Sequence, residues 1–180
     1  MTHLEAVELL RPVGIEEGGV WADLGAGEGR FSWALADLLG KEGRVTAVDK
    51  KARALNFLKE RAALMSHVAQ VKTQVADLKE PLNLENLDGI LLANSLHYVK
   101  NQRKLLAELT LSLKPNGRLV IIEYDRRRAN PWIPYPVSFA RLQELAAYLK
   151  LPSPKRHSAR TSRFGNGQIY VASISKEIQD

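Results

Sequence analysis

The 180-residue sequence predicts an α/β fold, a mostly parallel seven-stranded sheet flanked by helices and finished by an antiparallel hairpin. Three observations predict it. Short β-rich runs alternate with longer helical patterns, as expected for parallel strands joined by crossover helices. The first run passes into its helix through a turn with glycines at 25, 27 and 29. The last two runs are separated by Gly165-Asn166-Gly167, too short for a crossover, so they pair as antiparallel neighbours.

Each element can be justified in order. Thr2 and Glu5 have capping-box spacing for a first helix carrying Leu4, Val7 and Leu10, which ends before Pro12. Residues 1–18 are this helix and its lead-in. Val20–Leu24 is the first buried strand and Phe31–Leu39 its helix, with Gly40 as the stop. Arg44–Val48 is the second strand, followed by a helix over Lys51–Met65 and a third strand over Val68–Val75. A polar turn with Pro81 and Asn83 leads to the fourth strand, Gly89–Ala93. Leu105, Leu106, Leu109 and Leu113 recur at helical spacing. Pro115-Asn116-Gly117 turns the chain into the fifth strand, Arg118–Glu123. Asn130 to Pro136 holds three prolines, which lack donors and restrict their neighbours, so neither helix nor central strand fits there. A helix over Ser138–Leu149 and two β-like runs, Arg156–Arg163 and Gln168–Ser175, close the chain.

The length suits one domain over residues 1–180, with no internal repeat. No apolar stretch approaches the roughly 20 residues that span a bilayer. The N-terminus lacks the basic start and apolar run of a signal peptide, which places the protein in the cytoplasm. Without cysteine there is no disulfide framework and no thiolate chemistry, and histidines 3, 67, 97 and 157 lack metal-ligand spacing. The net charge of +6 is concentrated: residues 124–165 hold nine Lys or Arg against Asp125 and Glu144. Such a cluster is either a solvated basic face or an attractor for anions.

The loop Asp23-Leu24-Gly25-Ala26-Gly27-Glu28-Gly29 carries the chemistry. Alternating glycines let backbone approach a ligand at a helix start, although a tight strand-to-helix turn has the same pattern. Arg30 stands where the dinucleotide fingerprint G-x-G-x-x-G has its third glycine. Asp23 beside the loop would repel pyrophosphate and favour a cationic ligand.

In this loop the sequence resembles the class I S-adenosylmethionine-dependent methyltransferase family, over residues 19–175. The resemblance implies a Rossmann-like three-layer sandwich, S-adenosylmethionine as methyl donor and S-adenosylhomocysteine as product. It implies that Asp23 and the backbone of Gly25 and Gly27 hold the methionine moiety. Asp49, with Lys50 beside it, stands where the family binds the ribose hydroxyls. Asp77 stands where it meets the adenine amino group, with the Leu78 N–H facing an adenine ring nitrogen. Taken singly, Asp49 and Asp77 are equally well helix caps or turn residues.

After the fourth strand, Asn94-Ser95-Leu96-His97-Tyr98-Val99 lies at the carboxyl end of the sheet, where open α/β folds bind ligands. Asn94 belongs with the cofactor residues. His97 and Tyr98 resemble the His-aromatic pair of small-molecule members, His97 as general base or as a packing residue under the cofactor. The loop is not the Asn-Pro-Pro-Tyr type of the DNA and protein amide methyltransferases. Glu123 and Tyr124 end the fifth strand within reach of an acceptor, although Glu123 could instead pair with Arg126, Arg127 or Arg128. Trp132 and Tyr135 lie in the segment 126–137, where the family inserts its acceptor-binding element. Arg156, Arg160 and Arg163 form a basic strand that either protects a sheet edge or attracts an anionic acceptor.

The expected function is methyl transfer to a small-molecule acceptor, with an anionic one favoured by the arginines. Four other readings stand beside it. The basic region could serve an RNA-directed methyltransferase, or a protein-directed one. The chain could be a non-catalytic cofactor-binding subunit. An NAD-dependent oxidoreductase would share Asp49 but not the glycine spacing or the antiparallel ending. No membrane partner is expected.

Overall fold

The structure, a computed structural model, describes residues 1–62, 68–161 and 167–176, with the side chains of residues 61, 62, 160 and 161 left aside. In chain order the elements are α1 His3–Leu10, β1 Val20–Leu24, α2 Arg30–Leu39, β2 Arg44–Asp49, α3 Ala52–Ala62, β3 Gln70–Val75 and β4 Leu87–Ala93. There follow α4 Gln102–Leu111, β5 Leu113–Tyr124, α5 Phe139–Tyr148, β6 Lys155–Thr161 and β7 Gln168–Ser175. The seven strands form one sheet in the order β3-β2-β1-β4-β5-β7-β6. The first five are parallel, whereas β7 runs antiparallel to both β5 and β6.

Near-continuous apolar runs in β1, β4, β5 and β7 are buried on both faces of the sheet. Val120 and Ile122 of β5 join the cluster formed with α1, α2 and α3, while Leu119 and Ile121 join α4 and α5 on the opposite side. The result is the three-layer sandwich expected from the sequence. Because β1 pairs β2 on one side and β4 on the other, the strand order reverses beside β1. Open α/β sheets bind ligands at the carboxyl ends of the strands beside such a reversal. Among the described residues no helix is long and apolar enough to cross a membrane.

Local chemistry explains the element boundaries. The Thr2–Glu5 capping box starts α1, and a 3-10 turn at Arg11–Val13 follows it. β4 begins at Leu87, two residues before the expected Gly89, because Asp88 ties three strands together. It accepts the Val20 N–H at 2.7 Å and the Lys114 ammonium at 2.8 Å. Burial opposes ionisation of Asp88, but Lys114 and the Val20 N–H outweigh it and hold the carboxyl below its ordinary range. β5 begins at Leu113 and absorbs the Pro115-Asn116-Gly117 turn as an irregularity in its pairing with β4. Asn116 adopts φ 64° there and donates its N–H to the Lys176 carbonyl. The turn at Gly165-Asn166, the end of the expected α3 at Met65, and His67 and Arg163 lie outside the described residues.

Two loop features secure the first crossover. Gly29 has φ 80°, and a Cβ there would lie 2.4 Å from Leu58 Cδ1, so this glycine lets α2 and α3 approach closely. At the end of β1, Asp23 is buried and accepts the Ser32 hydroxyl of α2 at 2.6 Å. Burial pushes its carboxyl up from 3.8 to about 7; the Ser32 bond offsets part of this and the charge of Asp49 adds to it.

Gly29→Ala should destabilise the fold by about 1–3 kcal/mol through overpacking against Leu58, read from urea denaturation midpoints. For Asp23, the folded state keeps a proton that the unfolded state has lost between pH 4 and 7. Its contribution to stability therefore falls as pH rises through that window, with a slope approaching about 1.4 kcal/mol per pH unit. Asp23→Asn should flatten that part of the stability profile, and an unchanged slope would contradict the assignment.

Candidate functional site

The loop after β1 is held by the neighbouring strand. Gly25 and Ala26 donate their N–H groups to the Val48 carbonyl at 2.8 and 3.0 Å, and Gly27 donates to Asp49 Oδ2 at 2.8 Å. These donors are engaged inside the protein, so Gly27 offers a ligand space rather than an N–H group, while Gly25 makes room for Ser95. Gly25 has φ 82° and lies against Ser95, whose hydroxyl bonds the Leu24 carbonyl at 2.6 Å. A Cβ on Gly27 would meet nothing within 4 Å, so this glycine faces open space.

The other sequence-predicted residues lie along the same carboxyl edge. Asp49 ends β2 and also accepts the Lys51 N–H, while Lys50 is exposed. Asp77 follows β3, half-buried, with Oδ1 accepting the Lys79 N–H at 3.1 Å. Leu78 packs at the border of the cluster under α4 and α5. Asn94 follows β4 with φ 54°, and its Oδ1 is buried without a partner among the described residues.

These residues fit a nucleoside cofactor bearing cationic groups. Asn94 presents an unsatisfied acceptor, Gly27 clears space, and the mutual repulsion of Asp23 and Asp49 favours a positive group beside them. The same negative charge disfavours pyrophosphate.

On the β4–β5 side the structure pairs residues that the sequence analysis kept apart. Glu123 is fully buried; its Oε1 accepts the His97 backbone N–H at 3.1 Å, and its Oε2 lies 2.7 Å from His97 Nδ1. The expected pairing of Glu123 with Arg126, Arg127 or Arg128 is therefore corrected. Its carboxylate is fully buried and both its oxygens are engaged by His97. The parallel register Ala93↔Ile122 sets the loop after β4 beside Glu123, and that register was the available signal. Asp125 is the carboxylate that meets an arginine. It pairs with Arg156 at 3.2 Å and accepts the Phe139 N–H at the start of α5.

A cleft of about 1070 Å³ opens here, lined by Asn94, His97, Tyr98, Tyr124, Trp132 and the Arg126–Arg128 triplet, among others. The His97 ring lies 4.3 Å from that of Tyr98 and 6.2 Å from that of Tyr124. Burial, then the charge of Glu123, raises the Tyr124 phenol above its ordinary value, so it remains protonated at neutral pH. Trp132 is 75% exposed at the cleft, in a turn where Asn130 Oδ1 accepts the N–H groups of Trp132 and Ile133. Tyr135 serves through its backbone: its N–H bonds the His97 carbonyl, and its own carbonyl accepts the Gln102 amide. This clamps the proline-rich segment onto the His97 loop. Arg160 lies on β6 opposite Ile169, its side chain outside the described residues.

Residues 15–177 match the family model of a methyltransferase domain. Among curated relatives, the 2-phytyl-1,4-naphtoquinone methyltransferase of Trichormus variabilis is 31% identical over 116 residues, 63% of this chain and 50% of the relative. The ubiquinone/menaquinone biosynthesis C-methyltransferase UbiE of Marinomonas sp. is 29% identical over 114 residues, 63% of this chain and 45% of the relative. The chain spans about half the length of these curated relatives. Among solved structures, a SAM-dependent methyltransferase from Aquifex aeolicus shares the fold at a TM-score of 0.75 and 19% identity, covering 96% of this chain and 89% of that one. With its glycine loop, its strand order reversing beside β1 and a family match that takes in every strand of the sheet, the chain belongs to the class I S-adenosylmethionine-dependent methyltransferase family.

Proposed function

We propose that the protein transfers a methyl group from S-adenosylmethionine to a small-molecule acceptor held in the β4–β5 cleft. The observation that carries this reading is the division of the carboxyl edge at Asn94. The glycine loop, Asp49 and Asp77 lie on one side and the aromatic, arginine-lined cleft on the other. When bound, S-adenosylmethionine supplies an electrophilic methyl on a positively charged sulfur.

The chain's own residues bind, orient and exclude water. Asp23 and Asp49 favour the cationic ligand, and Gly27 lets it approach the loop. Asp49 with Lys50 meets the ribose, Asp77 and Leu78 meet the adenine, and the Asn94 Oδ1 accepts a hydrogen bond. Tyr98, Tyr124 and Trp132 form the acceptor's walls, and His97 faces its reacting group. Much of the catalysis then comes from alignment and water exclusion. Arg126, Arg127 and Arg128 at the cleft favour an anionic acceptor. The curated relatives are named for quinone substrates, which supports an aromatic acceptor.

Isothermal titration of the full chain with S-adenosylhomocysteine should show binding, and its absence at millimolar concentration would overturn the proposal. Asp49→Ala should weaken that affinity tenfold or more, about 1.5–3 kcal/mol for the loss of charge-assisted hydrogen bonds. Gly27→Ala separates binding from folding. Its Cβ enters open space, so stability should fall by only about 1–2 kcal/mol of left-handed strain while affinity is lost. Equal affinity in Gly27→Ala would place the ligand elsewhere.

A further inference from the structure

The buried His97–Glu123 pair has more order than packing requires. Both oxygens of Glu123 are used: Oε1 accepts the His97 backbone N–H and Oε2 lies 2.7 Å from Nδ1. Where a carboxylate accepts from Nδ1, the imidazole proton sits on that nitrogen and Nε2 keeps its lone pair. Nε2 has no hydrogen-bond partner among the described residues, and His97 lines the cleft beside Tyr98, Tyr124 and Asn94. The pair is locked from both sides. Glu123 is held within β5, one residue beyond Ile122, the partner of Ala93, and Tyr135 holds the His97 carbonyl.

We propose that Glu123 is a positioning residue that fixes His97 with a basic Nε2 toward the cleft, and that the acceptor is a hydroxylated aromatic ring whose O–H proton His97 removes. This rests on the methyltransferase reading above. An amine free base or a thiolate would need no such base, whereas a phenolic hydroxyl must lose its proton as it reacts. The proton passes to Nε2 while an oxygen lone pair forms the new oxygen–carbon bond. The carbon–sulfur bonding pair leaves with sulfur, giving the neutral thioether. His97 becomes an imidazolium whose Nδ1–H remains bonded to the Glu123 carboxylate, and it returns the proton to solvent after product leaves. Tyr98, Tyr124 and Trp132 supply flat surfaces for the ring.

The test reads the imidazole itself. Long-range proton–nitrogen correlation spectra of the nitrogen-labelled full chain should show His97 as the Nδ1–H tautomer. In Glu123→Gln the amide carbonyl still accepts the backbone N–H while its NH2 donates to Nδ1, so the fold is kept and the proton should move to Nε2. Diethyl pyrocarbonate should acylate His97 in the wild type, as mapped by peptide mass spectrometry, and this reaction should be lost in Glu123→Gln. β-Naphthol should shift the Nε2 resonance, and its methyl ether should not. An Nε2–H tautomer in the wild type, an unchanged tautomer in Glu123→Gln or a His97 inert to acylation would overturn the positioning role. Absence of a β-naphthol shift would overturn the acceptor class. None of these signals needs cofactor, so calorimetry with S-adenosylhomocysteine reports separately on the methyltransferase reading.

Discussion

The site depends on the attachment of the glycine loop to the end of β2. Three consecutive N–H groups, from Gly25, Ala26 and Gly27, bond to the Val48 carbonyl and the Asp49 carboxylate. A loop of glycines is otherwise conformationally costly to order. Here the neighbouring strand satisfies it and holds Asp49 in a fixed orientation. The same aspartate that shapes the loop ends β2 at the carboxyl edge of the sheet, so under the proposed function loop geometry and ligand chemistry are coupled through one side chain.

Electrostatics divides the carboxyl edge into two halves. On the β1–β2 side, Asp23 and Asp49 are close enough that the charge of one raises the proton affinity of the other. On the β4–β5 side the carboxylates are engaged locally, Asp125 by Arg156 and Glu123 by the backbone N–H and ring Nδ1 of His97. The arginine triplet is left to dominate the cleft. A positive donor and a negative acceptor would thus each meet the opposite sign.

Much of this was legible in the sequence, because it rests on short-range patterns. Short β-rich runs between helical patterns read out the strands, the Thr2–Glu5 spacing read out the α1 cap, and the closing hairpin followed from its short turn. The sequence also read out the carboxyl edge, since Asp49, Asp77 and Asn94 each sit just after a strand. What it hid were partnerships between distant segments. Glu123 lies three residues from Arg126, yet its partner His97 is 26 residues away and meets it only through β4–β5 register. Gly29 looks like a third ligand-loop glycine, but its missing Cβ makes room for Leu58 on the next helix. Asp88 gives no local hint that it will join three strands, since its partners lie 68 and 26 residues away.

The placement of β7 between β5 and β6 bears on how the molecule assembles. As a nascent chain leaves the ribosome, β5 and β6 both emerge before the strand that must lie between them. Until residues 168–175 are available, the apolar edge of β5 has no neighbour on that side and β6 has none at all. The β6–β7 hairpin therefore forms locally and docks as a unit on the edge of β5, the pairing of larger sequence separation and the slower step. Tyr170, buried on this strand with its hydroxyl bonded to the Val137 carbonyl, then joins the late strand to the segment that walls the cleft. Completion of the sheet and of the acceptor wall is one event.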